Sequence, residues 1–118
     1  MEIDNSLFGG FIVSKNVLDG IPIRYSYREQ SSIEELNGWT FLSAKDDDEY
    51  VNNPQNFIIV TMETIICLAP VVAEIYDAPF GTDLFWKYEK GVHIGFYDLK
   101  NNRDVTIDDI VNKLNIYA

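Results

Sequence analysis

The stretch from Ile21 to Arg28 constrains the fold more than any other part of the chain. Ile21, Ile23, Tyr25 and Tyr27 alternate there with Pro22, Arg24, Ser26 and Arg28. Side chains of a strand point to opposite faces with a period of two. The pattern therefore predicts a half-buried β-strand with the isoleucines and tyrosines on its core side. Pro22 donates no ladder hydrogen bond, so it belongs at the start of that strand or on a sheet edge.

A half-buried strand needs neighbours and a cover, and the rest of the chain supplies both. Gly9-Gly10 opens a β-rich run, Phe11-Ile12-Val13, and Lys15 to Gly20 gives a turn. Trp39 to Ser43 reads as a strand, and the wholly apolar Phe57-Ile58-Ile59-Val60 reads as a buried one. Leu84 to Tyr88 and Val92 to Leu99, joined by Glu89-Lys90-Gly91, predict a hairpin. The spacing of Ser32 and Glu35 is that of a capping box, but Asn37-Gly38 leaves room for one helical turn at most.

Asp46 to Glu49 suits the first turn of a short helix that Asn52-Asn53-Pro54 stops. Met62, Ile65 and Ile66 fall at helical spacing, and Pro70 begins a second short helix carrying Val71, Val72, Ile75 and Tyr76. The clearest helix is C-terminal. Thr106 and Asp109 form a capping box ahead of Ile107, Ile110, Val111 and Leu114. The expected class is α+β, a mainly antiparallel sheet of about five or six strands with two or three short helices and a C-terminal helix. With 118 residues and no repeat or linker-like stretch, a single domain over residues 1–118 is expected.

Charge narrows the partners. Nineteen acids against nine Lys and Arg give a net −10, a surface that repels nucleic-acid phosphates and anionic lipid. It would attract a basic macromolecule, or simply keep the chain soluble. The start of the chain has no basic region followed by a long apolar one, so a signal peptide is not expected. The lone cysteine, Cys67, sits in an apolar run and is expected to be a small buried hydrophobe. A reducing cytoplasm fits this usage.

Catalytic equipment is sparse. The single histidine, His93, lies in a strand candidate with no second His or Cys nearby, which favours a structural or surface role. Asp46-Asp47-Asp48-Glu49 superficially matches a calcium loop. Its sixth position is Val51 where glycine is needed, and its twelfth is Phe57 where a bidentate glutamate is needed. No catalytic residue, metal or cofactor is therefore expected, and the chain is read as one that works by binding. Tyr25 and Tyr27 are expected in the core. Arg28 and Glu29 either pair with each other or rim a binding site, and Trp39 is either core or a binding anchor.

Several blocks occur in a recognisable order: Ser14 to Gly20, Tyr25-Ser26-Tyr27-Arg28-Glu29, Asn37-Gly38-Trp39-Thr40-Phe41, and Asp48-Glu49-Tyr50. Asn52 to Asn56, Pro70 and Pro79-Phe80-Gly81-Thr82 follow. From about Phe11 to Tyr88 the chain resembles the immunity protein thirty-three family of bacterial polymorphic toxin systems. It departs from that pattern at Leu36-Asn37, where the family favours Asp-Ser, and at Ala44-Lys45-Asp46, where it favours a Gly-Asp-Glu-like lead. The resemblance implies neutralisation of a cognate toxin by stoichiometric binding without chemistry, and a basic toxin would suit the acidic surface. The expected contacts are Asp46, Asp47, Asp48, Glu49 and Tyr50, with Arg28, Glu29 and Trp39. The alternative is a small-ligand or regulatory module that uses the tyrosine-rich strand as a pocket floor.

Overall fold

The computed structural model describes residues 7–111. Seven strands form one sheet: β1 (Gly10–Ser14), β2 (Ile23–Arg28), β3 (Leu36–Ser43), β4 (Phe57–Val60), β5 (Asp83–Glu89), β6 (Val92–Asp98) and β7 (Arg103–Val105). Their spatial order is β4-β1-β3-β2-β5-β6-β7. Only the β1–β3 pairing is parallel; the other five ladders are antiparallel. Five helices accompany the sheet: α1 (Lys15–Leu18), α2 (Asp48–Val51), α3 (Met62–Leu68), α4 (Val72–Ile75) and α5 (Ile107–Val111). The α+β class stands, with seven strands rather than five or six.

One face of the sheet is covered. Phe11, Val13, Trp39, Phe41, Trp86 and Phe96 pack from the strands against Val17 of α1, Met62 and Ile65 of α3, Val72 and Ile75 of α4, and Ile110 of α5. Local chemistry explains the helices. Ser14, Asp47 and Thr61 cap α1, α2 and α3 through side-chain oxygens that accept from backbone amides. The predicted capping box ahead of α5 closes from both sides. Thr106 N donates to Asp109 (2.9 Å) and Asp109 N donates to Thr106 Oγ1 (3.0 Å). Leu114 lies outside the described residues.

The β2 phase is not the one predicted. Ile23 pairs with Ser43 but Tyr25 pairs with Leu42, so Arg24 is an extra residue in the ladder, a β-bulge. One inserted residue reverses every side chain beyond it. Ser26 is therefore buried, where Trp86 Nε1 donates to its hydroxyl (2.8 Å). Tyr25 and Tyr27 face the other way, and Tyr25 remains 38% exposed.

Two further expectations are corrected, and one open reading is decided. The apolar β4 is an edge strand rather than a buried one, and Ile59 is 62% exposed. Cys67 is exposed, because α3 turns Met62 and Ile65 inward and leaves position 67 outward. No helical turn follows Ser32, since β3 already begins at Leu36 and runs through Asn37-Gly38. The β5–β6 hairpin is as predicted, with Lys90 and Gly91 both at positive φ, as a tight hairpin turn requires.

Candidate functional site

The residues singled out from the sequence divide into two groups. The first holds the fold together. From the end of β2, Arg28 Nε donates to Asn37 O (3.0 Å), and its Nη1 donates to Tyr76 O (2.9 Å) and Ala78 O (2.8 Å). The guanidinium also lies 4.8 Å from the Phe80 ring centroid and 5.2 Å from that of Tyr76. Burial lowers the Arg28 pKa from its ordinary value, opposed by Tyr76 and Asp77. Arg28 thus binds β2, β3 and the segment after α4 into one corner, and it turns to carbonyls rather than to Glu29.

The motif blocks converge on this corner. Asn37 Nδ2 donates to Phe8 O (2.9 Å), and its Oδ1 accepts from Trp39 N (3.0 Å). Gly38 has φ +93°, and a Cβ there would collide with the carbonyl oxygen of Glu29. Trp39 is 0% exposed, stacks on Phe41 and donates from Nε1 to Tyr76 O (3.0 Å). An indole with no exposed surface cannot anchor a partner, so Trp39 is core. Gly81 N donates to Arg28 O (2.6 Å), which ties in the Pro79–Thr82 block.

The acidic segment is also partly structural. Asp46 Oδ1 accepts from Asn16 Nδ2 (2.8 Å) and Ser43 Oγ (2.7 Å), while its Oδ2 accepts from Ser43 N (2.7 Å). Burial alone would raise its pKa; hydrogen bonds from Ser14, Ser43 and Asn16 outweigh that and lower it. Asp47 Oδ1 accepts from Tyr50 N, and Tyr50 O accepts from Asn56 Nδ2 (both 2.8 Å). Of the residues expected to meet a partner, Asp48, Glu49 and Glu29 have exposed side chains that the structure puts to no such use.

His93 has no acid–base or ligand geometry. Its ring centroid lies 4.7 Å from Phe96, 4.8 Å from Trp86 and 5.4 Å from Tyr88. Burial lowers its pKa, a backbone hydrogen bond with Gly95 opposes this, and Nε2 is buried without a partner. Beside it, a cleft of about 360 Å³ opens between Ile21, Pro22, Pro70, Val71, Trp86 and Tyr88. Among the described residues no group of three or more His, Cys, Asp or Glu could hold a metal ion. No helix among them is long and apolar enough to cross a membrane.

The second group lies on the opposite face of the sheet, and sequence reasoning missed most of it. Ladder partners there form a row from Leu42 through Tyr25, Phe85 and Tyr97 to Asp104. Tyr25 meets Phe85 edge-on at 5.4 Å, and the Arg24 guanidinium lies 5.0 Å from the Phe85 ring. Lys87 Nζ pairs with Asp104 at 2.8 Å at one end of the row. A second row runs Ile59, Ile12, Thr40, Tyr27, Asp83. Burial raises the Asp83 pKa, as does Asp98, while Lys100 lowers it. A shallow depression of about 510 Å³ lies over Phe85, Lys87, Tyr97 and Asp104. The alternation of Phe85 with Leu84 and Trp86, all apolar, was the available signal: an antiparallel strand with a solvated face carries polar residues there.

Comparison with known proteins supplies the family. The model of the immunity protein Imm33 domain matches residues 11–97. The chain belongs to the Imm33 immunity-protein family. The match begins within β1 and ends within β6, so Leu42, Tyr25, Phe85 and Tyr97 all lie within it, and β7 with Asp104 lies outside. No curated protein and no solved structure matches the chain.

Proposed function

We propose that the chain is an immunity protein that neutralises a cognate toxin by forming a stoichiometric complex, without performing chemistry. Membership of the Imm33 family carries this reading. Two observations support it. His93, on which most acid–base schemes would depend, is wedged among aromatic rings with a lowered pKa. The net −10 charge suits capture of a basic protein domain, and the exposed Asp48, Glu49 and Glu29 contribute to that field.

The test is co-expression with the toxin gene that adjoins this one. Growth should be restored in cells carrying both, and the purified pair should elute as a complex of fixed stoichiometry. Failure to rescue growth by this chain, while a known immunity protein rescues from its own toxin in the same assay, would sink the reading.

A small-ligand reading has one observation in its favour, the apolar cleft beside His93. The tyrosine-rich strand contributes Ile23 to its lining, while Tyr25 and Tyr27 do not line it. A thermal shift with a metabolite library, lost in a Val71→Trp variant that fills the cleft, would favour this reading instead.

A further inference from the structure

The face of the sheet opposite the helices has the wrong chemistry for a surface meant to meet water. In a one-sided antiparallel sheet the outer positions are ordinarily polar. Here the central outer row reads Leu42, Tyr25, Phe85, Tyr97, and it crosses four adjacent strands. The first row forms the platform; the second row extends along β4, β1, β3, β2 and β5, with Thr40 buried in its middle.

We propose that this platform is the surface on which a basic protein partner docks, with Tyr25, Phe85 and Tyr97 as its anchors. The proposal rests on the immunity reading above and assigns that reading its contact surface. Three features decide in favour of a foreign, cationic protein. The first is extent. Four strands about 4.8 Å apart, each offering roughly seven residues at about 3.3 Å, make a platform on the order of 400 Å². With a rim, that approaches the roughly 800 Å² each partner contributes to a stable protein–protein interface.

The second is anatomy. Rigid aromatic side chains occupy the centre, while ion-paired and charged groups (Lys87 with Asp104, then Asp83) sit at the edge. That is the distribution of an interface with central anchors and a polar rim. The cations nearest the row are already engaged, since Lys87 pairs with Asp104 and Arg24 lies over the Phe85 ring and donates to Trp86 O. The third is charge. Two copies of a chain with net charge −10 repel each other, whereas a basic partner is drawn to it.

The experiment uses the full chain and an inactivated variant of the adjacent gene's toxin, with affinity read by calorimetry. Tyr25→Ser and Tyr97→Ser should each weaken binding by about thirtyfold or more, the scale of an interface anchor. Tyr97→Phe should retain most of the affinity. Asp48→Asn with Glu49→Gln, on α2 and off the platform, should change it by less than about threefold. Circular dichroism and thermal melting of each variant establish that it is folded.

Wild-type chain that fails to bind the toxin at all overturns the immunity reading and this inference together. Wild-type binding that folded Tyr25→Ser and Tyr97→Ser variants retain in full overturns this inference and leaves the immunity reading standing. So does loss of binding confined to the α2 double variant. A homodimer of the free chain in sedimentation, dissolved by Tyr97→Lys, would also overturn it, because the platform would then serve self-association.

Discussion

A single side chain, Arg28, does at the residue scale what the motif blocks do together. It satisfies three carbonyl oxygens from two separate stretches of chain, and its planar fork is what allows donation in several directions at once. Arg28→Ala should cost about 2–3 kcal/mol in urea unfolding, the scale of losing charge-assisted hydrogen bonds to partly buried carbonyls. Arg28→Lys should recover less than half of that, because an ammonium cannot reproduce the fork. His93 gives a second prediction. Its pKa is lowered in the folded state, so the unfolded chain binds the extra proton and acid favours unfolding. His93's share of stability is fully present above the unfolded-state pKa of about 6.5 and declines as pH falls through that value. Melting curves between pH 7.5 and 5 should therefore show a slope that His93→Phe flattens. An unchanged slope in the variant would mean that other groups set it.

Elements differ in how much they carry. Ile110 of α5 is buried against the core, and Ile110→Ala should destabilise by about 2–5 kcal/mol. Ile59 on the edge strand β4 is mostly exposed, and Ile59→Thr should stay within about 1 kcal/mol in the same denaturation assay. Sequence reasoning placed both on a buried face, Ile110 by its helical spacing and Ile59 by its wholly apolar run. Periodicity found the hairpin, α3, α4 and the capping box of α5, because local chemistry suffices for each. It placed Tyr25 and Tyr27 in the core because a bulge at Arg24 leaves no mark in a hydrophobic pattern. It buried β4 because a short apolar run looks the same at the edge of a sheet as at its centre. The three-residue β7 exists through its pairing with β6, and Arg103-Asp104-Val105 has no pattern of its own. The aromatic platform was hidden for a related reason: it is assembled across strands, one residue from each.

For the whole molecule, the charge is the property most open to experiment. If a basic toxin is the partner, its association rate with this chain should fall severalfold between about 50 and 300 mM salt, while dissociation changes little. Stopped-flow mixing would measure both, and a salt-independent association rate would remove electrostatic steering from the account. The order of the strands has another consequence. β1 is the first strand among the described residues, yet it lies between β3 and β4, whose residues follow it by some distance. During synthesis Phe11, Ile12 and Val13 leave the ribosome before either neighbour; β3 can pair with them once Phe41 has followed, and β4 only once Val60 has. The β4 edge of the sheet is thus completed by closing a long stretch of chain, and β4 can dock only onto a strand already in place. β1 therefore keeps one open edge until the fourth strand has been made.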